Sequence, residues 1–472
     1  MRLHIENIAK FEMADIDIDG ITVIAGSNNT GKSTIGKALF TMVDSFYNID
    51  KFVRDWKPQD AKKLLNKQGS NLDLICKKLS GLKRRKVAYV EQLQGRYAFS
   101  LAGAQGEDEI SECVRQYCKE HLELYGVMDE FPNDEVQYWI KEACNEIIPS
   151  MMDYDSEYAK IYGMQKSFEN IFGSQICKGE KQGEQTLSPK KSRVAVEVKN
   201  KEARDFVKRN SVVLENNTVK GIHQEFTVDA RALYIENPRI LDQFASLGYE
   251  SSEAEAKKII ADWLRPGEMN GRIRRRTFNW GIIQRQKPED AMEDTEINAE
   301  MQHMDEVISE INSELINLMD GTIEFADTNR VLDFNDNNYK GNFRLMNLST
   351  GLKAVSLLQC ILHYRALTPD TILILDEPEI NLHPEWQVKY AEYIAILQSR
   401  LNLNIVVTTH SPFFLKALEN ASVKNGIEDK CHYYYAYDKN GDAYLDCADN
   451  NIQEIYSKMM MPLFTMIEDM GL

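Results

Sequence analysis

The sequence predicts an α/β fold built on a buried, largely parallel sheet, and three observations carry that prediction. An apolar strand over residues 21–25 runs into a glycine-rich loop and leaves it through a helix-forming run, 33–43. A fully apolar run, 371–375, closes on the acids Asp376 and Glu377. Another apolar strand, 404–409, ends at His410. Strands apolar on every residue are buried on both faces, and open α/β sheets bind ligands at the carboxyl ends of such strands.

Taken in order, residues 2–8 and 12–18 alternate apolar and polar side chains as half-buried strands do, and they predict a small antiparallel subsheet. The loop that follows reads Gly26-Ser27-Asn28-Asn29-Thr30-Gly31-Lys32-Ser33. It fits G-x-x-x-x-G-K-[ST] in the strand–loop–helix setting that this motif requires. Inward backbone N–H groups and the positive end of the following helix suit it to hold phosphates, with Lys32 neutralising their charge. The Ser33 hydroxyl is placed to sit on Mg²⁺. Gly26, Asn28, Asn29, Thr30, Gly31, Lys32, Ser33 and Thr34 are therefore the candidate ATP-binding residues. Asp376, at the end of its strand, is expected to share the Mg²⁺ shell with Ser33, and Glu377 to polarise an attacking water.

Leu348-Ser349-Thr350-Gly351-Leu352-Lys353 precedes an apolar-periodic helix through Val355, Leu358, Ile361 and Leu362. The Ser349 hydroxyl and the Gly351 N–H at a helix start make an anion-binding end with no phosphate of its own. His410 stands where a γ-phosphate sensor is needed, although a lone histidine is more often a bystander.

Together these motifs resemble the ABC-type ATPases of the RecF, SMC and OLD (overcoming lysogenization defect) group. The wording Asp376-Glu377-Pro378-Glu379-Ile380-Asn381-Leu382-His383-Pro384, with Thr409-His410-Ser411-Pro412-Phe413, is closer to OLD-like ATPases than to transporter subunits. The resemblance implies an α/β ABC-type P-loop ATPase head: a mixed sheet with a small antiparallel subsheet and a large, mainly helical insertion. It implies ATP and Mg²⁺ as cofactors, and two ATPs sandwiched between two heads. Ser349 to Gly351 of one head would cap the nucleotide on Lys32 of the other. The family signature usually reads LSGGQ, so Thr350 and Leu352 are departures. The family also uses a glutamine between P-loop and signature; Gln92, Gln94 and Gln243 are all open.

The head is thus expected over residues 1–50 and 320–472. Residues 51–319 are read as the insertion, with a possible head strand near 230–238. Helical stretches at 134–151 and 288–319 and an exposed loop at 179–189 are expected inside it. Sustained heptads are absent, which argues against long coiled-coil arms.

Composition narrows the function. The 472 residues carry a formal net charge of −17, against a DNA-coating protein, and 43% of them are hydrophobic, enough for well-formed cores. No apolar run approaches a membrane span and the chain opens directly into a strand, so a cytoplasmic location with no membrane partner is expected. Eight scattered cysteines form no C-x-x-C pair, so reduced thiols are the simple reading. Two basic clusters, 83–86 and 272–276 with Phe278 and Trp280, could meet nucleic acid but are read as solvated or salt-bridged faces. After His410 a hairpin and a terminal helix are expected, with no separate nuclease domain.

ATP hydrolysis is therefore the expected chemistry. The favoured biology is the ATPase subunit of a two-gene antiphage system, similar to the ATPase components of Septu or PARIS, acting on a separate nuclease or toxin. The alternative is a RecF-like repair ATPase acting on DNA directly; a transporter subunit is the third reading.

Overall fold

The structure is a computed structural model and describes residues 1–50, 57–58, 61–70, 72, 87–104, 106–125, 133–152, 156–173, 175–179, 191–199, 206–236, 295–319, 321–325, 332–337, 342–344, 347–363, 367–449 and 451–469. The chain divides into two compact units. One comprises Met1–Tyr47 with Gln165–Leu472, and the other is Asn48–Met164.

Among the described residues, the first unit is built on an eleven-stranded mixed sheet. Its parallel part places β3 (Ile21–Gly26) between β12 (Asn404–Thr409) and β13 (Cys431–Lys439), with β11 (Thr371–Asp376) beside β12 and β7 (Arg231–Ile235) at the edge. The antiparallel part begins with the hairpin β1 (Arg2–Ile8) and β2 (Phe11–Asp17). It continues from β1 through β4 (Lys191–Lys199), β5 (Phe206–Glu215) and β6 (Thr218–His223). The two parts meet where β14 (Asp442–Cys447), the hairpin partner of β13, lies parallel to β2. The expected α/β class is the one found. A three-stranded antiparallel sheet, β8 (Gly321–Phe325), β9 (Leu332–Asp336) and β10 (Asn342–Arg344), stands apart from the main one.

Every residue of β3 and β11 is buried, which explains their predominantly apolar sequences. Alternation sorts those side chains. Ile21, Val23, Leu233, Leu373, Leu375, Ile405 and Val407 join one core with α6 (Thr295–Met319), α7 (Thr350–His363), α8 (Pro384–Leu401), α9 (Pro412–Lys424) and α10 (Ile452–Asp469). The other face meets α1 (Lys32–Tyr47), where Gly36 packs on Ile374 and Tyr234. Even-numbered residues of β7, β11 and β12 thus face α1, and Tyr234, Asp376 and Thr408 are among them.

The second unit is helical. Residues 61–70, α2 (Val87–Gly103), α3 (Glu107–Tyr125) and α4 (Asn133–Met152) close on Leu65, Leu101, Val114, Tyr117 and Ile147. The division between the two units falls within α5 (Ser156–Phe172).

One expectation is corrected. Residues 51–319 are not a single mainly helical insertion, because β4, β5 and β6 extend the sheet of the first unit. Val194, Ala195 and Val196 are fully buried there, and β4 pairs with β1 along five residues. The possible head strand near 230–238 is β7. Helix α6 also belongs to the head core, through Ile311, Leu315 and Met319. The expected loop at 179–189, apart from Gly179, and both basic clusters, 83–86 and 272–276 with Phe278 and Trp280, lie outside the described residues. Among the described residues, no helix is long and apolar enough to cross a membrane.

Candidate nucleotide-binding site

The loop from β3 to α1 turns through two positions that exclude a larger residue. At Gly26 a Cβ would stand 2.1 Å from the Ala436 carbonyl oxygen. Gly31 has φ +84° and packs against the Phe11 ring. Asn29 also takes a left-handed conformation, φ +64°, and its carbonyl accepts from Lys10 Nζ at 3.1 Å. Asn28 stands exposed beside it, and the Thr30 hydroxyl closes the turn onto Ser27 O at 2.8 Å. Thr34 N–H bonds to Gly31 O as the helix opens.

Lys32 is 3% exposed, and its ammonium donates to Ser27 O at 2.8 Å with Glu377 Oε1 at 3.5 Å. Ser33 crosses from α1 to β11, where its hydroxyl donates to Asp376 Oδ1 at 2.9 Å. Asp376 also accepts the Thr408 hydroxyl on Oδ1 and the Tyr234 hydroxyl on Oδ2, the latter at 2.6 Å. Burial first, then the charge of Asp376, pushes the Tyr234 phenol well above its ordinary value, so it stays a donor. The carboxylate of Asp376 is nearly buried, and among the described residues it pairs with neutral hydroxyls and no cation. Buried charges are paired or coordinate metals, so this donor set fits a divalent ion.

Glu377 follows with φ +48°, held by its N–H on Thr408 O at 3.1 Å and Thr408 Oγ1 at 3.0 Å. His410 Nδ1 lies 3.6 Å from Glu377 Oε2 and 3.4 Å from Glu379 Oε1. Glu379 is buried; its Oε1 accepts the Thr409 hydroxyl at 2.6 Å and the His410 N–H at 3.0 Å. Burial raises its carboxyl above the ordinary range, opposed by those hydrogen bonds.

Ser349 caps α7. Its exposed side chain accepts from Leu352 N–H at 3.4 Å, and its carbonyl from Lys353 N–H. Gly351 packs against Trp386, whose Cγ would lie 2.4 Å from an added Cβ. Among the described residues, no hydrogen bond or ion pair links Ser349 or Gly351 to the group around Lys32. Of the candidate glutamines, Gln92 and Gln94 lie on α2 of the helical unit, where Gln94 bonds Tyr117. Gln243 is outside the described residues.

The structure thus brings together Lys32, Ser33, Asp376, Glu377 and His410 from sequence positions far apart. Sequence reasoning missed Tyr234, Thr408, Glu379 and Trp386. Glu379 stood within the acidic motif without a role, and Thr408 reads as one more β-branched strand residue. Nothing local marks Tyr234 or Trp386.

The chain matches the AAA ATPase domain family over residues 1–415. No curated protein matches it. Among solved structures it is similar to an Smc head bound to the C-winged helix domain of ScpA, with TM-score 0.44 and 12% identity over 94% of this chain and 97% of that one. It is also similar to the SMC head domain from Thermotoga maritima, with TM-score 0.34 and 10% identity over 94% and 97% of the two chains. The family match spans both halves of the nucleotide site, from the P-loop to His410. The chain belongs to the AAA ATPase domain family.

Proposed function

We propose that this protein is an ATP-hydrolysing ABC-type ATPase that dimerises head to head around ATP and controls a separate effector, a nuclease or toxin, in bacterial antiphage defence. The observation that carries the ATPase reading is the 2.9 Å bond from Ser33 to Asp376, with Lys32 and Glu377 3.5 Å apart beside it. The P-loop and the acidic strand end have no other evident reason to converge.

In this reading the loop from Gly26 to Thr34 and the Lys32 ammonium hold the phosphates, and Ser33 with Asp376 holds Mg²⁺. Bound Mg²⁺ supplies charge neutralisation at the phosphoryl oxygens. Glu377 orients water and accepts its proton, and His410 is held beside Glu377 at the γ-phosphate end. Ser349 and Gly351 of a second copy complete the site, since among the described residues none of their hydrogen bonds reaches the Lys32 group. The effector role rests on the resemblance of the acidic and histidine motifs to OLD-like ATPases.

The test is oligomeric state with and without ATP for the wild type, Glu377→Gln and Lys32→Ala. Glu377→Gln should accumulate an ATP-bound dimer with turnover reduced at least a hundredfold, and Lys32→Ala should form none; removing a single catalytic group commonly has effects of that order. Equal turnover in wild type and Glu377→Gln would sink the assignment. Native mass spectrometry of the protein expressed with its neighbouring genes tests the effector: a stoichiometric second protein is expected, and a lone dimer with DNA-stimulated turnover would replace this reading with the repair ATPase.

A further inference from the structure

The edge strand β7 sends one hydroxyl into the nucleotide site. Tyr234 OH donates to Asp376 Oδ2 at 2.6 Å, while Ser33 and Thr408 both donate to Oδ1. The two oxygens of the carboxylate therefore have different occupations. Oδ1 faces the loop and Ser33, whose hydroxyl is the other candidate metal oxygen. Oδ2 is pinned from the adjacent strand β7, by a residue 142 positions away in sequence.

The phenol is itself held firmly. Tyr234 is 1% exposed; its ring meets Phe40 edge-on with centroids 6.1 Å apart, and lies against Gly36. In parallel register Tyr234 pairs with Ile374, two residues before Asp376 on the same face. A rigid ring with a fixed donor adds a restraint on the oxygen that Ser33 and Thr408 do not hold, and so narrows rotation about the terminal torsion of the Asp376 side chain.

We infer that Tyr234 is a positioning residue for the divalent cation: it fixes Asp376 Oδ2 so that Oδ1 is presented, with the Ser33 hydroxyl, to the metal that accompanies the nucleotide. This rests on the nucleotide-site reading above. Second-sphere partners that orient a ligating carboxylate commonly matter by ten- to a hundredfold in metal affinity.

The experiment measures Mn²⁺ binding to the full chain by electron paramagnetic resonance, with a non-hydrolysable ATP analogue present, beside binding of the same analogue in EDTA. Tyr234→Phe keeps the ring packed on Phe40 and Gly36. It should weaken Mn²⁺ retention about tenfold while leaving analogue binding in EDTA unchanged, which also reports that the site is folded. In an Asp376→Asn background, where the oriented oxygen is already lost, Tyr234→Phe should add no further weakening. Equal Mn²⁺ affinity in wild type and Tyr234→Phe overturns the inference, as does an undiminished effect in the Asp376→Asn background. Failure of the wild type to bind the analogue with or without Mn²⁺ overturns the nucleotide-site reading itself.

Discussion

Glu379 ties two strand ends together: its Oε1 accepts the backbone N–H of His410 at 3.0 Å, so the turn after β11 carries the residue that follows β12. The same oxygen takes the Thr409 hydroxyl, leaving His410 suspended between two carboxylates.

Burial raises the Glu379 carboxyl above its ordinary value of 4.5, with Thr409 and His410 pulling the other way. A group whose folded value is raised lends stability in full below the unfolded value and loses it as pH rises through the folded one. Glu379→Gln keeps an acceptor for both donors and has no charge to bury. Denaturant unfolding should therefore show the variant gaining on the wild type from mildly acidic to neutral buffer; parallel curves would count against the buried acid as the cause.

Glu377 occupies left-handed backbone at φ +48°. Such a conformation costs a non-glycine residue roughly 1–2 kcal/mol. Glu377→Gly and Glu377→Ala delete the same carboxylate and differ in backbone freedom alone. Nucleotide-free unfolding should find the glycine variant more stable by about 1 kcal/mol. The reverse order would mean that the turn relaxes when the side chain is lost.

Gly351→Ala should destabilise by about 1–3 kcal/mol, because the new methyl meets the Trp386 ring. In an unobstructed helix the same change would stabilise by about 1 kcal/mol. The sign of the effect in denaturant unfolding is thus diagnostic. Adding Trp386→Leu should recover much of the loss, giving a measurable coupling between the two sites.

The Thr408 hydroxyl donates to Asp376 and accepts from Glu377 N–H. Thr408→Val preserves shape and removes one hydrogen bond from each partner, leaving the Glu377 N–H on the Thr408 carbonyl and Asp376 with Ser33 and Tyr234. It should cost about 1–3 kcal/mol and lower ATP turnover, whereas Thr408→Ser should retain most of both. Similar unfolding midpoints for the two variants would contradict this role.

The parallel core was readable because β3, β11 and β12 are predominantly apolar runs and each ends in a motif. The strands β4 to β6 carry a signal of their own, with Val194, Val196 and Val198 alternating with Arg193, Ala195 and Glu197. That signal was masked by the helical segments around it, and pairing with β1 is a relation between distant residues that no local window contains. The site divides similarly. Lys32, Ser33, Asp376 and Glu377 announce themselves by spacing, but Tyr234 acquires its part only from the parallel register of β7 with β11. Trp386 acquires its part from how α8 meets the start of α7. These are facts of tertiary packing, and sequence periodicity is silent about them.

The order of the sheet also bears on how the chain is made. β3 is translated long before either of its neighbours, β12 and β13. Over that interval a buried, mainly apolar strand has neither partner beside it, so the P-loop acquires its final shape only after β12 and β13 have been made. A product terminated before β11 would leave β3 an unpaired, mainly apolar strand and would lack Asp376, Glu377 and His410.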